Sequence, residues 1–453
     1  MTYALIIYLV VLIAIAVRSA RRVKDIPDFF VARKGASAKA VAGSLVATIL
    51  GGSAVIGAVD SGAKLGGAAS WFMLVGALGL LALIPFAGRA YEHGKYSLPD
   101  LVENLYGKGP RMVATIVIPI AWTGIVAAQI IAAAKLLMTF TSLGYMTAAI
   151  VSAVVFTGYT LAGGQLSILR TDFMQACLII VGLLLLAGFA LFGGVSGAEA
   201  PASLSSILQG APEFPFNKNF TPLDLFLLIL TYGTTYTAGP DIYSRVFCAK
   251  DTATAKKAIA MAACTLIPVA FVIGFLAVYG VSLGSMGDFV QSARITAIAD
   301  AVLPSALLPL FALALLSVVL SSADTTLLSS SVIINGLCRK PSLLQARIVI
   351  LMNGLLALML ALVFTDIIGT LLLALAVYAG AFTVPILWGL LGLQAKPKFV
   401  GAAIIAGGIL ALSGKLCPAL PGSLGQHTGD ILMIAAFVVN AVILAIGRRP
   451  RVL

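Results

Sequence analysis

Long apolar runs, separated by short polar stretches, repeat along the whole chain. A helix that crosses a bilayer needs roughly 20 predominantly apolar residues, and thirteen runs are close to this length or longer. The pattern therefore predicts an all-α polytopic membrane protein with about thirteen transmembrane helices. The predicted spans are residues 2–17, 38–60, 67–88, 112–138, 143–163, 172–194, 222–239, 258–283, 303–334, 345–364, 367–393, 399–413 and 429–447.

Composition favours a membrane protein over every soluble class. Of the 453 residues, 60% are hydrophobic and 10% are charged, whereas a soluble domain carries about 45–50% apolar and about 25% charged residues. A soluble enzyme, a secreted disulfide scaffold, a disordered chain and a nucleic-acid-binding protein are therefore disfavoured. The five cysteines form no CxxC pair, so they indicate neither a disulfide framework nor a zinc site; they are Cys177, Cys248, Cys264, Cys338 and Cys417.

The basic residues that give the chain its net charge of +12 indicate how it is oriented in the membrane. With the N-terminus outside, 24 of the 29 Lys and Arg residues, including Arg245, fall in cytoplasmic loops, as the positive-inside rule requires. Basic residues follow the first apolar run instead of preceding it, which is the reverse of a signal peptide. We therefore predict a retained first helix and an inner-membrane protein with a cytoplasmic C-terminus. The exceptions are Lys64, Lys135, Lys218, Arg294 and Lys415.

The second span is interrupted in its middle by Gly51, Gly52 and Ser53. Adjacent glycines weaken a helix, and an unsatisfied backbone group in hydrocarbon costs several kcal/mol. One interpretation is close packing of helices through small residues. The other is a broken helix whose freed carbonyl groups face a ligand.

The seventh span is also interrupted. Pro240 lacks an N–H and disfavours helix in the residue before it, so a simple helix end is one interpretation of this stretch. The other is a second broken helix that lines a ligand site. Tyr232 and Tyr236 are four residues apart on one helix face, next to Thr235, and would form an amphipathic wall suited to a small solute.

Carboxyl and hydroxyl groups crowd the ninth span. Ser321, Asp324 and Thr325 share one helix face. Hydroxyls bond to their own helix, but a charge in mid-membrane costs roughly 2.5–3.5 kcal/mol and marks a functional site by default. Asp324 is therefore a functional candidate, with a protonated or packing-bound Asp as the structural alternative. For Asp172, which follows Thr171 at the start of the sixth span, the residues alone allow either helix capping or a functional role.

Two interrupted helices at comparable places predict a transporter built from inverted five-helix repeats. The repeats cover about 38–194 and about 222–393 of a single membrane domain, residues 1–453. One extra helix precedes them and two follow, at about 399–447. Hydroxyl, carbonyl and carboxylate oxygens suit a hard cation such as Na⁺, and a carboxylate would also serve a proton.

Five stretches of the chain resemble the sodium/solute symporter family, which includes sodium-coupled sugar, proline, pantothenate and sialic acid carriers. They are DFFVARKGAS (28–37), SLVATILGGSAVIG (44–57), YTLAGGQLSILRTDFMQ (159–175), GPDIYSRVFCAKD (239–251) and the Ser-rich ninth span. The resemblance implies the leucine-transporter-type inverted repeat and places three sets of residues. The main sodium site would take Ala47, Leu50, Val318, Ser321 and Ser322. A second cation site would take Asp172, Ser321, Asp324 and Thr325. The solute pocket would take Gly51, Gly52, Ser53, Gln129, Tyr232, Thr235 and Tyr236.

Several departures from the family pattern affect the ion and the substrate. Asp324 stands where members with two sodium sites usually have a hydroxyl residue. The chain lacks the cluster of Asn, Gln and Glu that binds sugars, and Thr235 replaces the gating Tyr of the sugar carriers. Tyr232, Tyr236 and Pro240 are closer to the proline carriers, although Ile49 replaces their carboxylate. An amino acid or carboxylate is therefore favoured over a sugar.

We predict a sodium-coupled symporter that imports a small organic solute by alternating access, with Na⁺ as the co-transported ion and no organic cofactor. Its partners would be the solute and the lipid bilayer, not nucleic acid. A proton-coupled transporter using Asp324 or Asp172 is one alternative. A transport-like membrane sensor is another, although the chain ends soon after its last span. A membrane enzyme is a third, without support from any nucleophile–base pair or metal cluster.

Overall fold

Helices form nearly all the regular structure of the described chain, a computed structural model that covers residues 2–21, 23, 25–192, 212–283, 293–337, 342–416 and 423–449. Besides short 3₁₀ turns, the first half contains α1 (Thr2–Ala20), α2 (Ile26–Val31), α3 (Ala38–Ile49), α4 (Ser53–Asp60), α5 (Gly62–Leu83), α6 (Ala87–His93), α7 (Leu98–Tyr106), α8 (Lys108–Phe140), α9 (Tyr145–Leu161) and α10 (Gly164–Phe192). The second half contains α11 (Pro222–Leu228), α12 (Thr234–Ala238), α13 (Pro240–Val246), α14 (Thr252–Ser282), α15 (Arg294–Val302), α16 (Leu308–Asn335), α17 (Leu343–Val363), α18 (Ile367–Leu390), α19 (Pro397–Leu416) and α20 (Ser423–Ile446).

Many of these helices are long and apolar enough to cross a membrane. Within the described residues nine helices reach this length and composition, or ten when the bent pair α3–α4 is one span. The remaining three predicted spans coincide with α1, α9 and the interrupted α11–α12 segment. The all-α membrane fold is therefore confirmed, whereas the count of thirteen stays a prediction.

Helix α16 lies at the centre of the bundle. Of its most apolar stretch, 83% is buried inside the protein, compared with 28–33% for α17, α19 and α20. It packs against α3, α8 and α10. All eight polar residues between Ser321 and Ser331 are buried, whereas large apolar side chains such as Phe192 and Val363 are exposed on the outside. The polar groups of the ninth span are thus enclosed by protein rather than by lipid.

The sixth span begins earlier than the sequence predicts. Helix α10 starts at Gly164, eight residues before Asp172, and the predicted end at residue 194 lies outside the described residues. Gly164 has φ +60° and ψ −169°, which breaks the continuous path from α9. The capping interpretation of Thr171 is therefore wrong, because its hydroxyl donates to the Ser167 carbonyl one turn back, inside the helix. The other spans begin and end within six residues of their predicted bounds.

Gly164 is a position where only glycine fits. Its positive φ is costly for other residues, and a Cβ there would lie 2.5 Å from Cδ2 of Phe29. We expect Gly164→Ala to lower stability by about 1–3 kcal/mol, measured as a lower unfolding temperature of the purified protein in detergent. Gly158→Ala is the matched control, because Gly158 is exposed on α9 with no atom within 4 Å of an added Cβ. Equal unfolding temperatures for the two variants would contradict this account.

Candidate functional site

The second span is broken between α3 and α4. The two helices meet at an angle of 53°. Leu50, the last buried residue before the break, has φ −74° and ψ 53°, outside the helical range. Two amide groups, of Ala54 and Val55, both donate to the Gly51 carbonyl at 3.0 Å. The predicted broken helix is therefore confirmed.

The glycine pair at the break also allows neighbouring helices to approach. A Cβ on Gly51 would lie 2.6 Å from Oγ of Ser322, and one on Gly52 would lie 2.6 Å from Cβ of Ala132. The glycines thus interrupt the helix and also let α16 and α8 pack against the interruption.

Ser321 brings together three of the five residues expected at the main sodium site. Its Oγ lies 2.8 Å from the carbonyl oxygen of Ala47, 3.4 Å from that of Val318 and 2.8 Å from that of Ser317. A serine hydroxyl has one hydrogen to donate, so this place has more acceptor oxygens than donated hydrogens. Such a group of buried oxygens is what a hard cation prefers.

Ser322 takes a slightly different partner from the one expected. Its Oγ donates to the carbonyl of Thr48 at 2.7 Å, one residue after Ala47. Leu50 is fully buried at the end of α3, three residues after Ala47. The hydroxyls of α16 are therefore bonded to the last turn of α3, just before the break.

Arg245 is a functional candidate that sequence reasoning missed. The charge pattern assigned it to a cytoplasmic loop, and this assignment is wrong: Arg245 lies on α13 and is fully buried. Its Nη2 forms an ion pair with Oδ2 of Asp172 at 3.3 Å and also donates to Oγ1 of Thr325. A basic residue soon after a proline is typical of a loop, and only the buried acidic partner distinguishes this arginine from the others.

Asp172 is one end of a buried network that joins four helices. Its Oδ2 accepts from Oγ of Ser44 on α3 at 2.5 Å, in addition to Arg245 on α13. Thr325 on α16 donates to the Ser321 carbonyl at 2.8 Å, so the network reaches the main sodium residues. The structure therefore assigns Asp172 to the interior network and not to a helix cap.

Asp324 has fewer partners than its burial requires. It is fully buried, and its Oδ1 lies 3.3 Å from Oγ1 of Thr325, the same hydroxyl that donates to the Ser321 carbonyl. Among the described residues, Oδ2 of Asp324 and Oδ1 of Asp172 have no hydrogen-bond partner. The four residues predicted for a second cation site thus lie in one network, linked through Thr325, with a guanidinium group between them.

A tyrosine from the extra N-terminal helix also reaches this region. The hydroxyl of Tyr8 lies 2.6 Å from Oγ of Ser317, one turn before Ser321 on α16. Gln175, three residues after Asp172 on α10, donates to the same hydroxyl at 3.1 Å. The first helix is therefore connected to both helices that carry the buried carboxylates.

The residues predicted for the solute pocket fall into two groups. Gln129 on α8 accepts through Oε1 from the Gly52 amide at 2.8 Å, which joins it to Gly51 and the break. The rings of Tyr232 and Tyr236 pack edge to face with centroids 5.0 Å apart. Within the described part of the chain, no hydrogen bond or ring contact joins the two groups.

Thr235 and Ser53 complete the predicted pocket without forming a link between these groups. The hydroxyl of Thr235 donates to its own helix, 2.7 Å from the Thr231 carbonyl, and Ser53 is buried in the first turn of α4.

The seventh span widens into a π-helical turn at Ile229–Gly233 and ends at Ala238, with Gly239 extended before Pro240. The interruption predicted there is confirmed.

An aromatic pair near this break was not predicted. The rings of Trp122 and Tyr378 lie edge to face with centroids 4.6 Å apart, and the hydroxyl of Tyr378 donates to the Ala238 carbonyl at 2.5 Å. Trp122 lies seven residues before Gln129, on the same face of α8. Aromatic residues in apolar helices are common, so the sequence contains no signal that separates this pair from the core.

Solved structures of transporters share this fold. A Na⁺-coupled sialic acid symporter in a substrate-bound, outward-open state superimposes with a TM-score of 0.76 at 19% identity, over 100% of this chain and 99% of that one. A manganese transporter from Eremococcus coleocola gives a TM-score of 0.60 at 15% identity, over 90% and 94%. A nucleobase-cation-symport-1 family transporter in a closed conformation gives 0.59 at 17% identity, over 92% and 94%.

Sequence comparison points to one family. The sodium/proline symporter of Haemophilus influenzae (strain ATCC 51907 / DSM 11121 / KW20 / Rd) is 28% identical over 234 residues. The match covers 49% of this chain and 44% of that protein, so it spans less than half the length of that relative. The profile of the sodium:solute symporter family matches residues 29–396, more than three quarters of the chain. The chain therefore belongs to the sodium:solute symporter family.

Proposed function

We propose that this protein is a sodium-driven symporter that imports a small organic solute by alternating access. The observation that carries the proposal is the Ser321 hydroxyl, which has three carbonyl oxygens within 3.4 Å, one from the end of the broken helix α3 and two from its own helix α16. These buried oxygens are neutral, and the single hydroxyl hydrogen cannot be donated to all three carbonyls. Such a group of oxygens suits Na⁺. Membership of a family of sodium:solute symporters supports the same assignment.

Sodium would connect two helices. Its ligands would be the carbonyls of Ala47, Leu50 and Val318 and the hydroxyls of Ser321 and Ser322, from α3 and α16. With Na⁺ bound, the end of α3 is held against α16, which favours the outward-open state and orders the broken segment beside Gln129. Solute affinity then rises with sodium, and linkage requires that solute raise sodium affinity by the same factor.

For the solute we propose an amino acid or a carboxylate in preference to a sugar. The aromatic side chains of Tyr232 and Tyr236 and the single amide of Gln129 offer few of the hydrogen-bonding groups that a sugar requires. The start of α4, next to Gln129, lies at the break, and the N-terminus of such a half-helix attracts anionic groups. The sialic acid and proline carriers among its relatives transport solutes that contain a carboxylate.

We also propose an orientation in the inner membrane with the N-terminus outside and the C-terminus cytoplasmic. The support is the distribution of Lys and Arg between alternate loops. In this arrangement the two five-helix repeats, about 38–194 and about 222–393, enclose the ion and solute sites, and α1, α19 and α20 lie outside the repeats.

The proposal predicts sodium-dependent binding of the solute. In a thermal-shift screen of amino acids, monocarboxylates and sugars, we expect the true solute to raise the unfolding temperature in NaCl and to have little effect in KCl. A ligand at 100 times its Kd stabilises the folded state by about 2.7 kcal/mol. Stabilisation of equal size in KCl would argue against sodium coupling, and a hit among the sugars alone would argue against the solute class.

Uptake into proteoliposomes tests the coupling itself. We expect the solute found in the screen to accumulate under an inward sodium gradient at constant pH. A pH gradient without sodium should drive no accumulation. Accumulation under the pH gradient alone would instead favour proton coupling through Asp324 or Asp172, and equal uptake without any gradient would contradict symport.

Ser321→Ala tests the main sodium site. Because this variant removes one oxygen ligand, we expect the sodium concentration for half-maximal uptake to rise roughly tenfold, which corresponds to about 1.4 kcal/mol. Ser330→Ala is the control, since Ser330 lies on the same helix, is equally buried and donates only to its own helix, at the Thr326 carbonyl. A similar change in both variants would reject Ser321 as a ligand.

A further inference from the structure

A cavity of about 560 Å³ lies between the start of α3 and the start of α10. Among the described residues that line it, two are basic and none is acidic. None of these lining residues belongs to the proposed ion or solute sites, so the cavity is separate from both. The side chains that determine its chemistry are those of Ser37, Lys39, Leu166, Leu169, Arg170 and Phe173.

The apolar wall of the cavity continues into the face of α10 that contacts the bilayer. Phe173, Cys177, Val181 and Leu184 are exposed and follow one another at intervals of three or four residues, so they share one helix face. Arg170 is also exposed and lies one turn earlier on the same face. This exposed face therefore begins with a basic residue and continues as an apolar surface.

The length of α10 places Arg170 at the depth of the lipid headgroups. From Arg170 to the exposed Phe192 at the other end, the helix is about 33 Å long at 1.5 Å per residue. The hydrocarbon core of a bilayer is about 30 Å thick. When Phe192 lies at one edge of this core, Arg170 lies at the opposite edge, where phosphate groups begin.

Helices α3 and α10 are in contact just beyond the cavity. A Cβ on Gly43 of α3 would lie 2.6 Å from Cδ2 of Phe173, so the ring of Phe173 packs directly on α3. The same ring is exposed toward the bilayer. Phe173 therefore bounds the cavity on the membrane side and also begins the apolar face of α10.

Further positive charge lies beside Arg170. Its Nη1 donates at 3.2 Å to Oγ of Ser19, in the last turn of α1. Arg18 and Arg21 lie within two residues of Ser19 and are exposed. A guanidinium group has five N–H donors in one plane, so Arg170 can bind Ser19 and a phosphate group together.

Basic residues alone would not indicate a ligand here, because they are common at the cytoplasmic edge of membrane proteins. Two carboxylates also precede α3, but Asp25 and Asp28 are both paired with Arg33. The additional observations are the cavity between two helix starts and its exposed apolar wall. Together they require a ligand that is anionic at one end and apolar at the other.

We propose that this cavity binds the headgroup of an anionic phospholipid, with an acyl chain along the exposed face of α10. Lys39 and Arg170 would contact the phosphate, since ionised donors form strong hydrogen bonds with phosphate oxygens, and basic pockets between transmembrane helices recognise such headgroups. The lipid would connect the start of α3 to the start of α10. The inference does not depend on which ion or solute is transported.

Native mass spectrometry of the purified full-length protein tests the binding. The protein in detergent is mixed with equal concentrations of phosphatidylglycerol and phosphatidylcholine that have the same acyl chains. We expect one phosphatidylglycerol to be retained per chain in preference to phosphatidylcholine. Equal retention of the two lipids would overturn the inference, because it would show that the negative charge of the headgroup is not recognised.

The double variant Lys39→Ala with Arg170→Ala tests the assigned residues. Each basic side chain near the membrane surface strengthens the binding of an anionic lipid roughly fivefold. We therefore expect the affinity for phosphatidylglycerol to fall about 30-fold, with binding of phosphatidylcholine unchanged. Both side chains are exposed, so we expect the variant to fold.

Arg347→Ala with Lys398→Ala is the matched control. These two residues are also exposed at the proposed cytoplasmic side, at the starts of α17 and α19, and neither lines the cavity. The control loses the same charge and should retain phosphatidylglycerol like the wild type. An equal loss of binding in both double variants would show a general charge effect, and unchanged binding in both would show that the lipid binds elsewhere; either result would overturn the inference.

A thermal-shift comparison distinguishes a lipid from a free phosphate. We expect phosphatidylglycerol to raise the unfolding temperature of the wild type, and inorganic phosphate or glycerol phosphate at the same concentration to leave it unchanged. A ligand that binds only the folded state stabilises it by mass action. If inorganic phosphate gave the same rise and displaced phosphatidylglycerol, the cavity would be a site for soluble phosphate and the lipid assignment would be wrong.

Discussion

The hydroxyl groups of Ser321 and Ser322, which hydrogen-bond to the last carbonyls of α3, are the contact on which the candidate site depends. These hydrogen bonds connect α16, the most buried helix of the bundle, to the end of the broken helix α3. A continuous second span would have no free carbonyls there, and a side chain at Gly51 would collide with Ser322. The glycine break and the serine pair are therefore parts of one arrangement, and the proposed sodium strengthens a link that already exists.

The pair of Arg245 and Asp172 shows how the interior of this bundle tolerates charge. Burial of an isolated ion is expensive, and a buried pair is stable only when its remaining donors and acceptors are satisfied. Here every donor of the guanidinium group has an acceptor, supplied by α3, α10, α13 and α16. The pair thus joins segments that are far apart in sequence, next to the proposed sodium site. Arg245, a residue outside the expected ligand set, therefore contributes a positive charge beside the proposed sodium site.

The sequence predicted the helices because apolar runs are a local pattern, and it proposed most residues of the candidate site because they interrupt those runs. Apolar runs locate the spans, and Gly51, Gly52 and the hydroxyls after Ser321 interrupt those runs visibly. What could not be predicted depends on contacts between distant segments. Arg245 has the local surroundings of a loop residue, and its partner lies 73 residues earlier. The start of α10 was missed because Gly164 changes the backbone path by its positive φ, and glycines are frequent throughout this chain.

In the proposed mechanism, sodium holds α3 against α16. Hydrogen–deuterium exchange of the purified protein tests this contact, because a backbone amide exchanges only when its segment opens. The exchange would be followed by mass spectrometry on peptides that cover residues 44–60 and 315–326. We expect slower exchange in both segments in NaCl than in KCl at equal ionic strength, while α19 and α20 exchange equally in the two salts. Equal exchange of both segments in the two salts would contradict it.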